Sequence, residues 1–168
     1  MDKLVQVRDK VLDRAVLKQG ERLLEVGAGE GWIGLGVFGR GAGEVVFSDI
    51  STNVLDACRE AAEELGVADR CEYVEAAADD LSALEDASVD AVTTRSVLIY
   101  VAEKQQALRE FFRVLRPGGR VSLSSPSTAL PLEGVGAELL ARRSIPRGRD
   151  RRPGGETQRR LRRPPAPF

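Results

Sequence analysis

Residues 22–32 read RLLEVGAGEGW, and the rest of the chain arranges itself around them. Arg22–Val26 is a short aliphatic run bounded by glycine, the pattern of a strand. Gly27, Gly29 and Gly31 then alternate through a tight turn, where they can take positive φ and let a ligand approach the backbone. A second aliphatic run, Glu44–Asp49, closes on an acid twenty residues past Gly29. An acid at that place can accept hydrogen bonds from both hydroxyls of a ribose.

The flanking sequence supplies alternating strands and helices. Leu4, Val7, Val11, Leu12, Ala15 and Val16 recur at helical spacing, which predicts an amphipathic helix over 3–19 closed by Gly20. Trp32–Arg40 is a helix candidate weakened by Gly34, Gly36 and Gly39. A helix over Thr52–Leu65 opens on Ser51 or Thr52 as cap and closes at Gly66. Cys71–Ala76 reads as a third strand, Leu81–Leu84 as one helical turn, and Val89–Thr94 as a fourth strand. Ala102–Leu115 reads as a helix with Leu108, Phe111, Phe112 and Leu115 in the core, and 116–119 (RPGG) ends it sharply before a fifth strand, Arg120–Ser124. Such alternation specifies right-handed crossovers and a mainly parallel α/β sheet.

In a doubly wound sheet, ligands sit at the carboxyl ends of the strands. A dinucleotide fingerprint, GxGxxG, requires glycine where this chain has Trp32, and an indole there blocks the close approach. The pattern present is Gly27, Gly29 and Gly31 preceded by Glu25. It resembles the E/DxGxGxG motif of the class I S-adenosylmethionine-dependent methyltransferases. The segments 88–94 (SVDAVTT), followed by RSVLIYV, and 108–123 (LREFFRVLRPGGRVSL) resemble that family's fourth strand and its helix–turn–fifth-strand unit. Four landmarks thus fall in order over residues 21–125, and the likeness is strongest to small-molecule methyltransferases of the ubiquinone-biosynthesis type.

The resemblance implies a Rossmann-like sheet of five strands in order 3-2-1-4-5, helices on both faces, and S-adenosyl-L-methionine as cofactor. It implies that Gly27, Ala28 and Gly29 pass under the methionine part, that Gly31 fixes the loop, and that Glu25 orients it, reaching the cofactor's amino group through water. Asp49 would hold the ribose and Ile50 would pack on the adenine face. The Ala78 backbone N–H would meet the adenine ring. Ala77 stands where relatives often carry an acid or its amide, so Asp79 or Asp80 would accept from the exocyclic amine. Arg95 would lie near the methionine carboxylate. Positioning and desolvation supply much of the acceleration of methyl transfer, so the absence of histidine is tolerable. No catalytic base is assigned; a carboxylate, Tyr100 or solvent would take the proton. Trp32 and Tyr100 are expected to pack, Tyr100 at a helix start, and Cys58 and Cys71 to be buried structural thiols.

Composition bounds the alternatives. With 42% hydrophobic and 30% charged residues among 168, the chain can build one core. No apolar run approaches the ~20 residues of a membrane span, and the opening MDKLVQVRDK lacks an apolar leader, so the expected compartment is cytoplasmic. Lacking histidine, the chain offers no His-ligated metal site, and no metal is expected. Residues 1–137 carry a net charge of −8 and residues 138–168 one of +7. The first part is read as the cofactor-binding domain, with a short helix possible over 130–141; the second, rich in Arg, Pro and Gly, is expected to be disordered. After Ser125 no run suits the terminal hairpin of the family, so the fifth strand is expected to expose an edge that invites self-association. Three functions follow: methyl transfer to a small-molecule acceptor, cofactor binding without turnover in an incomplete enzyme, and nucleic-acid binding through the Arg-rich segment, the last the least expected.

Overall fold

The computed structural model describes residues 3–124. Five strands, β1 (Arg22–Val26), β2 (Glu44–Asp49), β3 (Cys71–Glu75), β4 (Val89–Arg95) and β5 (Leu115–Ser124), form one sheet in the order β3-β2-β1-β4-β5. Every neighbouring pair is parallel. Helix α1 (Lys3–Ala15) precedes β1, α2 (Trp32–Leu35) and α3 (Thr52–Glu64) follow β1 and β2, and α4 (Lys104–Val114) lies between β4 and β5. The order reverses at β1, so the crossovers through α2 and α3 cover one face and the crossover through α4 covers the other. The doubly wound sheet expected from the sequence is the one observed.

Strand alternation sorts the core into two clusters. Leu23, Val45, Phe47 and Ala91 point to the side of α1, α2 and α3, where Val11, Leu12, Ile33, Val37, Leu55 and Cys58 meet them. Leu24, Val26, Val46 and Val92 point to the side of α4, against Ala107, Leu108, Phe111 and Val114, with Leu81 and Leu84 from the β3–β4 connection. The period of two along each strand, with both faces filled, gives the unbroken aliphatic runs seen in the sequence.

Several boundaries differ from expectation. Helix α1 ends at Ala15, four residues early, with Val16 at φ 45°; the Ala15 carbonyl is taken by Arg120 Nε from distant β5, at 2.7 Å. The expected helix over 32–40 breaks into α2 and a 3-10 turn, Phe38–Arg40. Ser51 occupies the N-cap position of α3 but its hydroxyl makes no capping bond. Leu81–Leu84 is a single turn closed by Leu84 N–H to Leu81 O, not a helix. The 116–119 turn lies within β5 as a bulge: Val89 pairs with Leu115, and the next register pair is Ala91 with Arg120. Arg116 precedes proline, which disfavours helix there, and Gly118 takes φ 84°. Tyr100, expected to pack, is 85% exposed. The expectations for residues 125–168 (the short helix, the disordered segment and the missing hairpin) fall outside the described residues.

Candidate functional site

The carboxyl ends of β1, β2 and β4 bring the glycine turn, Asp49 and Arg95 together. Gly27 and Ala28 N–H both donate to the Ser48 carbonyl, at 2.7 and 3.0 Å, so β2 anchors the start of the turn. Gly27, Gly29 and Gly31 all take positive φ, at 70°, 55° and 69°. Their reasons for being glycine differ. A Cβ at Gly27 would run into Val97 Cγ2, and one at Gly31 would lie 2.9 Å from Cys58 Sγ. A Cβ at Gly29 would meet nothing within 4 Å. Gly29 therefore faces open space, while the other two admit close packing from the β4–α4 connection and from α3.

Asp49 braces this turn. Its Oδ2 accepts from Gly29 N–H at 3.2 Å and its Oδ1 from Ser51 N–H at 3.1 Å. An ionised carboxylate offers about four lone-pair sites, so the side chain retains capacity for the two hydroxyls of a ribose. From below, the Cys58 thiol donates to the Gly29 carbonyl at 3.1 Å. Burial pushes that thiol up to about 12, with the nearby Glu25 and Asp49 charges adding to the effect, so it stays a neutral donor.

Glu25 lies beneath the turn, 3% exposed, with Oε2 accepting from Gly34 N–H at 2.7 Å. Burial raises its carboxyl to about 8; the Gly34 bond opposes the rise and the Asp49 charge reinforces it. Glu25 thus holds α2 against the turn. Arg95 ends β4 one residue past Thr94, which is in register with Val26, and is exposed. Ser96 follows at φ 58° and donates its N–H to Ser124 O at 2.7 Å. A non-glycine residue held in the left-handed region is strained, and here it turns the chain so that Val97 reaches Gly27.

Beyond β2 and β3 lies a cleft of about 310 Å³ lined by Ile50, Glu75, Ala76, Ala77, Asp80, Ser82 and Ala83. Ile50 is 74% exposed, an apolar surface offered to a planar group. Of the two adjacent acids, Asp80 lines the cleft and Asp79 does not. Asp80 Oδ1 accepts from Ser82 N–H at 3.2 Å, and hydrogen bonds from Ser82 hold its carboxyl below the usual range. Ala77 lines the cleft, whereas Ala78 is buried in the core on the side of α4. Val97, Cys58, Gly34 and Glu75 are neighbours of the site that no sequence motif singled out. Glu75 was the most accessible to inference, since it ends β3 in register with Asp49.

A glycine turn, an acid at the end of the next strand and a cleft beyond it that sets Ile50 beside acids define a nucleoside-binding α/β domain. Residues 24–123 match the methyltransferase domain family, and the chain belongs to that family. It is 35% identical over 115 residues to the tRNA 5-carboxymethoxyuridine methyltransferase of Escherichia coli, covering 67% of this chain and 44% of that protein. It is also 35% identical over 113 residues to the ubiquinone/menaquinone biosynthesis C-methyltransferase UbiE of Vibrio cholerae, covering 66% of this chain and 43% of the relative. Among solved structures, the cyclase SpnF superposes with a TM-score of 0.64 at 32% identity, over 69% of this chain and 43% of that one. The chain spans less than half the length of these relatives. Because one of them is named a cyclase, the fold alone does not set the chemistry.

The cofactor that the family implies is S-adenosyl-L-methionine, and the residues present fit it. Gly29 leaves open space above the turn, Asp49 has acceptor capacity to spare, and Ile50 offers an exposed apolar face beside an acid that can accept from an amine. Glu30, Asp49, Glu75 and Asp80 gather at this edge of the sheet, which suits a ligand carrying positive charge.

Proposed function

We propose that this chain binds S-adenosyl-L-methionine at the carboxyl edge of its sheet and transfers the methyl group to a small-molecule acceptor. The observation that carries the reading is the open face of Gly29 bonded to Asp49, a backbone surface and an acceptor held 3.2 Å apart. The cofactor supplies a sulfonium methyl that is already a strong electrophile. The chain's own task is placement. The turn at Gly27–Gly29 supports the methionine part, and Asp49 takes the ribose hydroxyls. Ile50 covers the base, Asp80 rather than Asp79 accepts from its amine, and Arg95 meets the methionine carboxylate. Glu25 keeps the turn and α2 in register from beneath, and Gly31 lets α3 close on the turn. No side chain is assigned as a base.

A small acceptor is favoured over RNA by charge. Residues 1–137 carry a net −8, and the binding edge is itself acidic, whereas a polynucleotide is held chiefly by cations on its phosphates. The UbiE relative is named for quinone biosynthesis and the Escherichia coli relative for a tRNA nucleoside, so the two acceptor classes can be separated directly. Titration calorimetry with S-adenosylhomocysteine should show binding that Asp49→Ala abolishes. Radiolabelled methyl should then appear in the low-mass fraction of a lysate. No heat at millimolar ligand sinks the cofactor assignment; label confined to RNA sinks the choice of acceptor; binding without any transfer leaves a cofactor binder and refutes the activity.

A further inference from the structure

The connection from β3 to β4, residues 76–88, contains no helix and no strand. Its shape is imposed from outside by two side chains of α4. Glu110 is 9% exposed, and its Oε2 accepts from Leu81 N–H at 2.9 Å. Arg113 grips Glu110 with two bonds, Nε to Oε1 at 2.9 Å and Nη2 to Oε2 at 2.8 Å. The same guanidinium donates to the Leu81 carbonyl at 2.7 Å, to the Leu84 carbonyl at 2.8 Å and to Asp86 Oδ1 at 2.8 Å. One residue pair therefore fixes both backbone groups of Leu81 and the far end of the same turn. Leu81 is fully buried, and it stands between Asp80 and Ser82, two of the polar residues lining the cleft beyond β2.

We propose that the Glu110–Arg113 pair positions the wall that reads the nucleobase: by holding Leu81 from the α4 side, it sets Asp80, steadied by Ser82, where its carboxylate accepts from an exocyclic amine and rejects a carbonyl at the same place. This inference rests on the cofactor reading given above. Neither Glu110 nor Arg113 lines the cleft, so both are positioning residues. The guanidinium is suited to the task because its planar fork addresses a carboxylate and two carbonyls at once, which an ammonium cannot do. Its hydrogen bonds, with that from Leu81 N–H, also hold the Glu110 carboxyl below the usual range. A buried ion pair is weak as a source of stability, because desolvation offsets its attraction. Four directed bonds on one irregular segment instead confer geometry.

The test compares S-adenosylhomocysteine with S-inosylhomocysteine, in which the exocyclic amine is replaced by oxygen, by calorimetry on the full chain. The wild type should prefer the adenine ligand by about tenfold or more, the ratio that one hydrogen bond to a charged group confers. Arg113→Lys keeps the charge and loses the fork; its preference should fall to within about threefold, by loss of a hydrogen bond to a charged group. Glu110→Gln keeps an oxygen for Leu81 N–H but cannot accept both bonds from Arg113, so it should shift the ratio in the same direction. It carries the comparison if circular dichroism shows Arg113→Lys to be unfolded. A folded variant that weakens both ligands equally, with the preference intact, overturns the inference, because the pair then acts on stability alone. Equal binding of both ligands by the wild type also overturns it while leaving the cofactor reading standing. Failure of the wild type to bind either ligand removes the cofactor reading and this inference with it.

Discussion

Three glycines of one turn carry different burdens, and substitution separates them. Alanine at Gly29 must adopt φ 55° but touches nothing, so Gly29→Ala should cost only the left-handed backbone penalty, roughly 1–2 kcal/mol. Its methyl would fill the space above the turn, so affinity for S-adenosylhomocysteine should fall by about tenfold, a loss of ~1.4 kcal/mol, with the fold retained. Gly27→Ala adds a collision with Val97 to the same backbone cost and should lower stability by a further ~1–3 kcal/mol, the usual toll of overpacking. Denaturant melts beside calorimetry would resolve the two; equal loss of stability in both variants would refute the assignment. Glu25 gives a second prediction, in pH. Its carboxyl lies at about 8 in the folded chain against an ordinary 4.5. Within that window the folded state keeps a proton that the unfolded chain has released, so stability falls as pH rises, by up to about 1.4 kcal/mol per unit. Glu25→Gln keeps an acceptor for Gly34 N–H and removes the titration. Its unfolding free energy should be flatter than that of the wild type between about pH 5 and 8, and parallel slopes would show that Glu25 is ionised throughout. Glu110 works with the opposite sign, since its lowered carboxyl contributes stability that is lost only as pH falls below the ordinary range.

At the level of elements, the clearest tertiary device is Arg120, which ties β5 to the end of α1. Nε donates to Ala15 O, and the other two nitrogens grip both oxygens of Glu21. Both side chains are mostly buried, at 23% and 16% exposed, so Arg120→Ala should cost about 2–4 kcal/mol by stranding the carboxylate and the carbonyl. Arg120→Lys should recover only part of this, and a urea melt unchanged in either variant would show the contact to be dispensable. This residue also explains where sequence reading succeeds and stops. The five strands were legible because aliphatic runs such as Leu23–Val26 and Val45–Phe47 must be buried on both faces, and their order followed from the resemblance. The shortness of α2 was legible in Gly34 and Gly36. The end of α1 was not, because the group that satisfies Ala15 lies over a hundred residues away. The start of β5 was hidden because 116–119 looks locally like a terminator, while the pairing of Leu115 with Val89 is non-local. In the site, the spacing of Gly29 and Asp49 anticipated a contact that exists. It could not separate Asp79 from Asp80, since which of two adjacent acids faces a cleft depends on how Leu81 is anchored.

For the molecule as a whole, charge and burial divide the chain more sharply than its fold does. The described sheet and its two core clusters are built from residues 3–124, with helices on both faces. No helix among them is long and apolar enough to cross a membrane. Every residue assigned to the cofactor lies between Glu25 and Arg95, and the family match ends at residue 123. Residues 138–168 carry the opposite net charge and, beyond Ile145, only Leu161 and Phe168 as sizeable apolar side chains. They offer almost nothing to bury, and burial at roughly 25 cal/mol per Å² is the main term that offsets ordering entropy. We therefore propose that residues 1–137 constitute the folding and cofactor-binding unit. Deleting 138–168 should leave the urea midpoint and the affinity for S-adenosylhomocysteine unchanged, while removing most retention on a polyanion column by discarding ten arginines. A lower midpoint in the shortened chain would mean that the basic segment packs on the sheet. Weaker ligand binding at an unchanged midpoint would mean that it reaches the carboxyl edge, where the acids around Asp49 are the groups able to attract it.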